Sequence, residues 1–176
     1  FPRLSLVRTL RPEGLYLGPF RSRRAAEAVM HALWDATPIR RCTNPPGSRT
    51  ARCGMAQLGV ALCPCDGTLP EVDYRPVVDL IRRGVEAEPD LLLAPLADRV
   101  RRLATEARYE EAAAGRDRYS ALARALERRR AWQALQEAGV VEVESGNGDR
   151  AVPARRARAY AARSDDVSVT PMPAGA

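Results

Sequence analysis

The stretch CTNPPGSRTARCGMAQLGVALCPCDG, residues 42–67, contains all four cysteines of the 176-residue chain. It is rich in glycine and proline and shows no hydrophobic periodicity, so it is not expected to form a regular helix or strand. Cysteines that lie this close together indicate a shared ligand or disulfide bonds rather than scattered core thiols. We therefore expect the segment to owe its structure to Cys42, Cys53, Cys63 and Cys65.

The sequence favours a metal centre over disulfide bonds. No apolar run approaches the ~20 residues that cross a membrane, and the N-terminus lacks the pattern of a signal peptide. These features predict a cytoplasmic protein without a membrane partner, and disulfides are disfavoured in that compartment. Four thiolates could bind zinc or hold an iron–sulfur cluster, or they are reduced thiols without a ligand. Cys63 and Cys65 are closer than a CxxC pair, which implies strain if both bind one ion.

Positive charge is concentrated in the cysteine-bearing half of the chain. Residues 1–65 hold ten arginines against Glu13, Glu27 and Asp35, a net charge of +7, whereas residues 66–130 hold thirteen charges of each sign. Such a surface fits a polyanion, and guanidinium groups suit phosphate oxygens. The candidate DNA phosphate contacts are Arg21, Arg23, Arg24, Arg40, Arg41, Arg49 and Arg52.

Outside the cysteine segment the sequence predicts a mainly α fold. Short strands are expected at residues 4–8 and 15–17, followed by an amphipathic helix that starts after Ser22 and is closed by Pro38. This part is interpreted as a short β/α segment.

Helical periodicity returns at residue 68 and continues to residue 138. Pro76 is expected to kink or shorten the first helix and Gly84 to end it. Residues 98–138 are expected to form an antiparallel helical hairpin that breaks near residues 107–109.

The C-terminal segment has a different composition. Residues 140–143 could form a strand and residues 146–149 a turn, whereas the Ala- and Arg-biased remainder is expected to be disordered. The predicted segments are residues 1–41, 42–67, 68–97, 98–138 and 139–176.

Motifs in the first 65 residues resemble the UvrC family, the incision subunit of bacterial nucleotide excision repair, and its shorter Cho-type nucleases. Pro2–Leu4 is similar to the family's PRL element, Tyr16–Phe20 to YFGPF and Thr37–Cys42 to FPIRxC. Gln57–Gly59 is similar to its QIG element, and its two PC elements correspond to Arg52-Cys53 and Pro64-Cys65. The resemblance implies that the cysteines bind a four-iron four-sulfur cluster, with zinc as the alternative. Cys42, Cys53 and Cys65 match the family's ligands, but its third cysteine corresponds to Ala61, and this chain has Cys63 instead.

The hairpin resembles the UVR motif, approximately LxFEEAAxxRD, that UvrB and UvrC share. Ala107 and Tyr109 stand where the motif has Leu and Phe. The resemblance implies a UvrB-type helicase subunit as the partner. The residues that would bind it are Tyr109, Glu110, Glu111, Ala112, Ala113, Arg116 and Asp117.

The resemblance implies a portion of an excision-repair endonuclease that acts on damaged DNA in the SOS response and recruits a UvrB-type partner. In the family the catalytic residues of the GIY-YIG nuclease domain precede the PRL element, so residues 1–41 are interpreted as the end of that domain and a linker helix. No catalytic residue is assigned in this chain. The alternatives are a non-enzymatic UVR adaptor or regulator, and an inactive truncated remnant of the nuclease.

Overall fold

The computed structural model describes residues 1–10, 14–138, 140–144, 150–153 and 168–171. These residues are mainly α-helical, as predicted. The elements are α1 Arg23–Ala36, α2 Gly54–Gln57, α3 Glu71–Glu86, α4 Asp90–Thr105, α5 Tyr109–Ala138, β1 Val140–Glu144, β2 Arg150–Pro153 and β3 Ser168–Pro171. The chain divides into two compact units, one of Phe1–Tyr16 with Arg24–Arg124 and one of Leu17–Arg23 with Ala125–Ala176. None of the described helices is long and apolar enough to cross a bilayer.

The prediction of two strands near the N-terminus is wrong. Residues 4–8 and 15–17 form no strand in the described part of the chain. An isolated strand is unstable without a hydrogen-bonded neighbour. The first residues instead contact the side chain of a helical residue: the ring of Phe1 lies 5.4 Å from that of Tyr74.

The predicted helix after Ser22 is confirmed as α1. Its apolar face buries Val29, Ala32 and Leu33. At its end Thr37 donates two hydrogen bonds to the carbonyl of Leu33, from its backbone N–H at 3.0 Å and from its hydroxyl at 2.7 Å. These bonds satisfy a carbonyl that the end of the helix leaves open.

Helix α3 is longer than the sequence predicts. It continues through Pro76, which lies on its exposed face, and it does not end at Gly84. Gly84 is buried, and a Cβ atom there would lie 2.5 Å from Cγ of Leu92 on α4. The glycine therefore permits the close approach of α3 and α4 rather than ending a helix.

The turn between α4 and α5 confirms the predicted break. Ala107 has a left-handed φ of 57°. Its N–H donates to the carbonyl of Ala104 at 3.1 Å, and that of Arg108 donates to Leu103 at 2.9 Å. This hydrogen-bond pattern is a Schellman motif, in which the left-handed position is normally glycine. The helices approach closely beyond the turn, since a Cβ on Gly115 would lie 3.0 Å from Cγ2 of Val100.

The C-terminal unit contains a small antiparallel sheet with strand order β2-β1-β3. Strand β1 confirms the strand predicted at residues 140–143, and its Val141 pairs with Val152 while Val143 pairs with Val169. The structure differs from the expected disorder at β2 and β3, because pairing on both edges of β1 gives their backbones hydrogen-bond partners. The predicted turn at residues 146–149 and the remainder of the tail lie outside the described residues.

Replacement of Gly84 by alanine is expected to destabilise the protein. Alanine normally stabilises a helix interior by about 1 kcal/mol relative to glycine. Here the added methyl group must displace Leu92, which is fully buried, so we expect a loss of about 1–3 kcal/mol. Urea denaturation measures the change. Gly54→Ala is the control, because a Cβ at Gly54 meets nothing within 4 Å; equal effects of the two substitutions would contradict the close-approach role.

Ala107→Gly is expected to stabilise the hairpin. A left-handed conformation costs an L-residue roughly 1–2 kcal/mol that glycine avoids. We expect about 1 kcal/mol of added stability in a thermal or urea unfolding experiment. Ala104→Gly, an exposed substitution in the preceding turn of α4, should instead destabilise by about 0.5–1 kcal/mol. A loss of stability in both variants would show that the turn does not require a left-handed residue.

Candidate metal centre

The sulfur atoms of the four cysteines lie close together. Each pair of Sγ atoms lies within 4.8 Å, and no pair forms a disulfide. Cys63 and Cys65 are buried, whereas Cys42 and Cys53 are half-buried. The sulfurs of Cys63 and Cys65 lie within this distance despite the short spacing of the two residues. The cluster is therefore a set of four thiols that could bind a metal.

Backbone hydrogen bonds hold the segment that contains the two buried cysteines. The carbonyl of Pro64 accepts hydrogen bonds from the N–H groups of Gly47 at 2.9 Å and Gly67 at 3.0 Å. The carbonyl of Cys65 accepts one from Arg49 at 2.9 Å. Gly47 has a φ of 68°, a conformation that favours glycine. These bonds fix the direction of the Cys63–Cys65 segment independently of a ligand.

Two of the thiols have opposite electrostatic environments. Burial and the neighbouring thiols together raise the pKa of Cys63 to about 12, against one backbone N–H that lowers it. For Cys53 partial burial raises the pKa, but the N–H of Ala56 and the other three thiols outweigh it and the net pKa is lowered. Cys42 also accepts a hydrogen bond from the N–H of Asn44 at 3.4 Å. Backbone N–H donors of this kind favour the thiolate form that binds metals.

Tyr74 of α3 connects the segment before the cysteine loop to the N-terminus. Its hydroxyl donates to the carbonyl of Pro2 at 2.6 Å and accepts from the N–H of Arg40 at 3.1 Å. The side chain is 1% exposed, and burial raises its pKa, against the opposing effect of Arg40. The sequence indicates a core position for Tyr74 but gives no sign of this bridge, which links residues far apart in the chain.

Arg40 is not a surface residue, which corrects its assignment as a DNA phosphate contact. It is 5% exposed. Its guanidinium donates to the carbonyls of Asn44, at 2.5 Å, and Phe1, at 3.4 Å. A buried guanidinium needs such partners because an unpaired buried charge is costly. Arg40 therefore holds the loop rather than a ligand.

Arg41 lines a groove beside the two half-buried cysteines. Its guanidinium lies 5.5 Å from the ring centre of Trp34 and donates to the carbonyl of Trp34 at 2.6 Å. The groove has a volume of about 630 Å³. Its lining residues are His31, Trp34, Asp35, Arg41, Cys42, Thr43, Cys53, Gly54, Met55 and Arg118. Arg118 of α5 and Asp35 of α1 form an ion pair across it at 2.6 Å.

The remaining predicted phosphate contacts are exposed. They are Arg21, Arg23, Arg24, Arg49 and Arg52. Arg52 also lies 3.4 Å from the carboxylate of Asp66, directly after the last cysteine. Exposure permits a phosphate contact, whereas the half-buried Arg41 could reach a ligand only within the groove.

The predicted partner-binding residues start at the first residue of α5. Tyr109 is 69% exposed, and the charged members of the set are exposed as well, whereas Ala112 is buried and Ala113 half-buried. Glu111 is held by the guanidinium of Arg108 through bonds of 2.7 and 2.6 Å, which lowers the pKa of its carboxyl group. Ala112 is thus packed against the rest of the unit, and the exposed members are accessible to a partner.

Residues 1–83 match the family described as "UvrC/Cho excinuclease, middle domain". The UvrABC system protein C of Syntrophus aciditrophicus is 37% identical over 135 residues, which cover 74% of this chain and 21% of that protein. The protein of the same name from Nitratidesulfovibrio vulgaris is 33% identical over 152 residues, 83% of this chain and 22% of that protein. The chain belongs to the UvrC family. No solved structure shows a significant match.

The chain spans about a fifth of the length of these UvrC relatives. The aligned stretches are longer than the 83 residues of the middle domain. The similarity to UvrC proteins therefore extends beyond the cysteine loop into the helices that follow it.

Tyr74→Phe is expected to lower stability by about 1–2 kcal/mol, because removal of the hydroxyl leaves the buried N–H of Arg40 without its acceptor. Equilibrium unfolding in urea measures this change. Tyr109→Phe is the matched control and should fall within about 0.5 kcal/mol of the unsubstituted protein, since that side chain is exposed. A neutral Tyr74→Phe variant would show that the bridge does not hold the loop.

Proposed function

We propose that this chain is the section of a UvrC-type nucleotide excision repair endonuclease that positions the enzyme on damaged DNA and binds a UvrB-type subunit. The observation that carries the proposal is the combination, in one compact unit, of a four-thiol cluster, exposed arginines next to it and a helical hairpin with an exposed motif surface. The family membership supplies the reaction to which these parts would contribute. No nuclease residue is assigned to this chain.

The cysteine loop serves as a metal-bound structural joint in this proposal. Residues 42–67 contain one helix of four residues and otherwise no regular structure. Cys42, Cys53, Cys63 and Cys65 would hold the metal, and their convergence within 4.8 Å fits a shared ligand. A bound metal supplies cross-links between segments that share little apolar surface, and such sites contribute folding free energy directly.

The exposed arginines beside the joint provide the DNA surface. Arg49 and Arg52 belong to the cysteine loop itself, so the metal would fix their positions relative to α1 and α3. Contacts with phosphate oxygens hold a protein on DNA without reading its sequence. That behaviour suits an enzyme whose substrate is defined by damage and not by a base sequence.

The hairpin supplies the partner surface. Tyr109 is a large, exposed aromatic residue at the start of α5, next to the charged residues Glu110, Arg116 and Asp117. Exposed aromatic side chains surrounded by charge are typical of protein–protein contacts. The ion pair between Arg118 and Asp35 connects this helix to α1, so the partner surface and the cysteine loop belong to one unit.

Arg49→Ala combined with Arg52→Ala is expected to weaken binding to a duplex that carries a lesion. Each lost phosphate contact should reduce the slope of log K against log salt by about 1. Fluorescence anisotropy at several salt concentrations measures both affinity and slope. Arg75→Ala combined with Arg83→Ala is the charge-matched control, because both arginines are exposed on α3 and pair with Glu71 and Glu88. A slope that is unchanged in the double variant would remove these two arginines from the DNA surface.

Tyr109→Ala is expected to weaken binding to a purified UvrB-type subunit by at least about tenfold, the loss of one aromatic anchor at an interface. Isothermal titration calorimetry gives the affinity. Val72→Ala is the control, because Val72 is 72% exposed and lies on α3, outside the motif surface. Equal affinity of the Tyr109→Ala variant and the unsubstituted chain would exclude Tyr109 as an anchor, and absence of binding by both would contradict the partner proposal.

A further inference from the structure

The spacing of the cysteine sulfurs distinguishes between the two kinds of metal centre. Four thiolates at ~2.3 Å from one zinc ion lie about 3.8 Å from one another. In a four-iron cluster each thiolate binds a different iron, so the sulfurs lie at the outer corners of a group that is itself several ångström across. The sulfurs here are no more than 4.8 Å apart, a separation that leaves room for one ion inside the set and none for a cluster.

The backbone resists the expansion that a cluster requires. Cys63 and Cys65 are 5% and 0% exposed, and Pro64 between them is fully buried. Backbone hydrogen bonds from Gly47 and Arg49 hold this segment to the neighbouring stretch of the loop, and a bond from Gly67 closes the turn that follows it. Because both sulfurs are buried, movement away from the centre would displace packed side chains, since protein interiors leave few voids.

The position of Cys63, the third cysteine of the chain, also favours a single ion over a cluster. Cys63 is separated from Cys65 by one residue, and their sulfurs lie within 4.8 Å of each other. Two sulfurs at this distance can bind one ion. Ala61 stands four residues before Cys65, where the family has its third cysteine. It is buried at 4% exposed and has no side-chain group that could bind a metal.

We propose that the cysteine loop binds a single tetrahedral divalent ion of the zinc type through Cys42, Cys53, Cys63 and Cys65, and does not hold an iron–sulfur cluster. This inference rests on the metal-bound joint of the proposed function and specifies its occupant. The site is closed, because four protein thiolates fill a tetrahedral ion. Its role is structural, and it takes no part in electron transfer.

The test is metal analysis of the full chain, expressed with both iron and zinc in the medium and purified without oxygen. We expect about one zinc per chain and no acid-labile sulfide, and cobalt(II) should replace the zinc to give the spectrum of a tetrahedral four-thiolate site. Iron and sulfide in equal, stoichiometric amounts would overturn the single-ion inference but leave a metal-bound joint in place. A chain that binds neither metal would overturn both, while the DNA and partner assays test the rest of the proposed function separately.

Two variants test the ligand set. Cys63→Ser removes a buried ligand, and we expect cobalt(II) affinity to fall at least tenfold. Because that variant could fail to fold, Cys42→His provides a second measurement at a half-buried position. Imidazole is an accepted zinc ligand, so this variant should still bind one cobalt(II) ion, with the thiolate charge-transfer band reduced by about a quarter. Loss of cobalt binding in Cys42→His, with circular dichroism unchanged, would contradict a single-ion site.

Discussion

The convergence of four thiols is the constraint on which the rest of the structure depends. The segment from Cys42 to Gly67 contains one short helix, and its buried apolar side chains include Ala61, Cys63 and Cys65. Its first cysteine follows α1 and its last precedes α3. A ligand at this point would therefore join two helices through a loop that is otherwise held by hydrogen bonds. The hydrogen bonds around Pro64 hold the backbone of the buried pair.

The arginines of the basic half lie in two different environments. Arg40 and Arg41 contribute charge to the same region as Arg49 and Arg52, yet their side chains are directed to backbone carbonyls and to Trp34. A guanidinium carries five donors in a fixed fork, which makes it effective both at holding irregular backbone and at binding phosphate. Burial separates the two groups of arginines in the structure. The net charge of the region alone overstates the number of arginines that are exposed to solvent.

The hairpin is built from local interactions, and a distant ion pair connects it to α1. A left-handed alanine and two backbone bonds make the turn, and Arg108 holds Glu111 at the start of α5. The pairing of Arg118 with Asp35 spans 83 residues and connects α5 to α1 across the groove beside the cysteines. The exposed motif surface and the candidate metal centre thus belong to the same compact unit.

The sequence by itself determined what depends on near neighbours. The cysteine cluster, helix α1, the break in the hairpin and strand β1 were all predictable, because each follows from spacing or composition within a few residues. Tertiary structure decided the rest. The sequence predicts a helix end at Gly84, but this residue packs against Leu92. It also predicts a phosphate contact at Arg40, but this side chain is buried and donates to backbone carbonyls. The bonds of Tyr74 to Arg40 and Pro2 span 34 and 72 residues. A hydrogen bond between such distant positions leaves no periodicity in the chain, so only the folded structure shows which polar groups it joins.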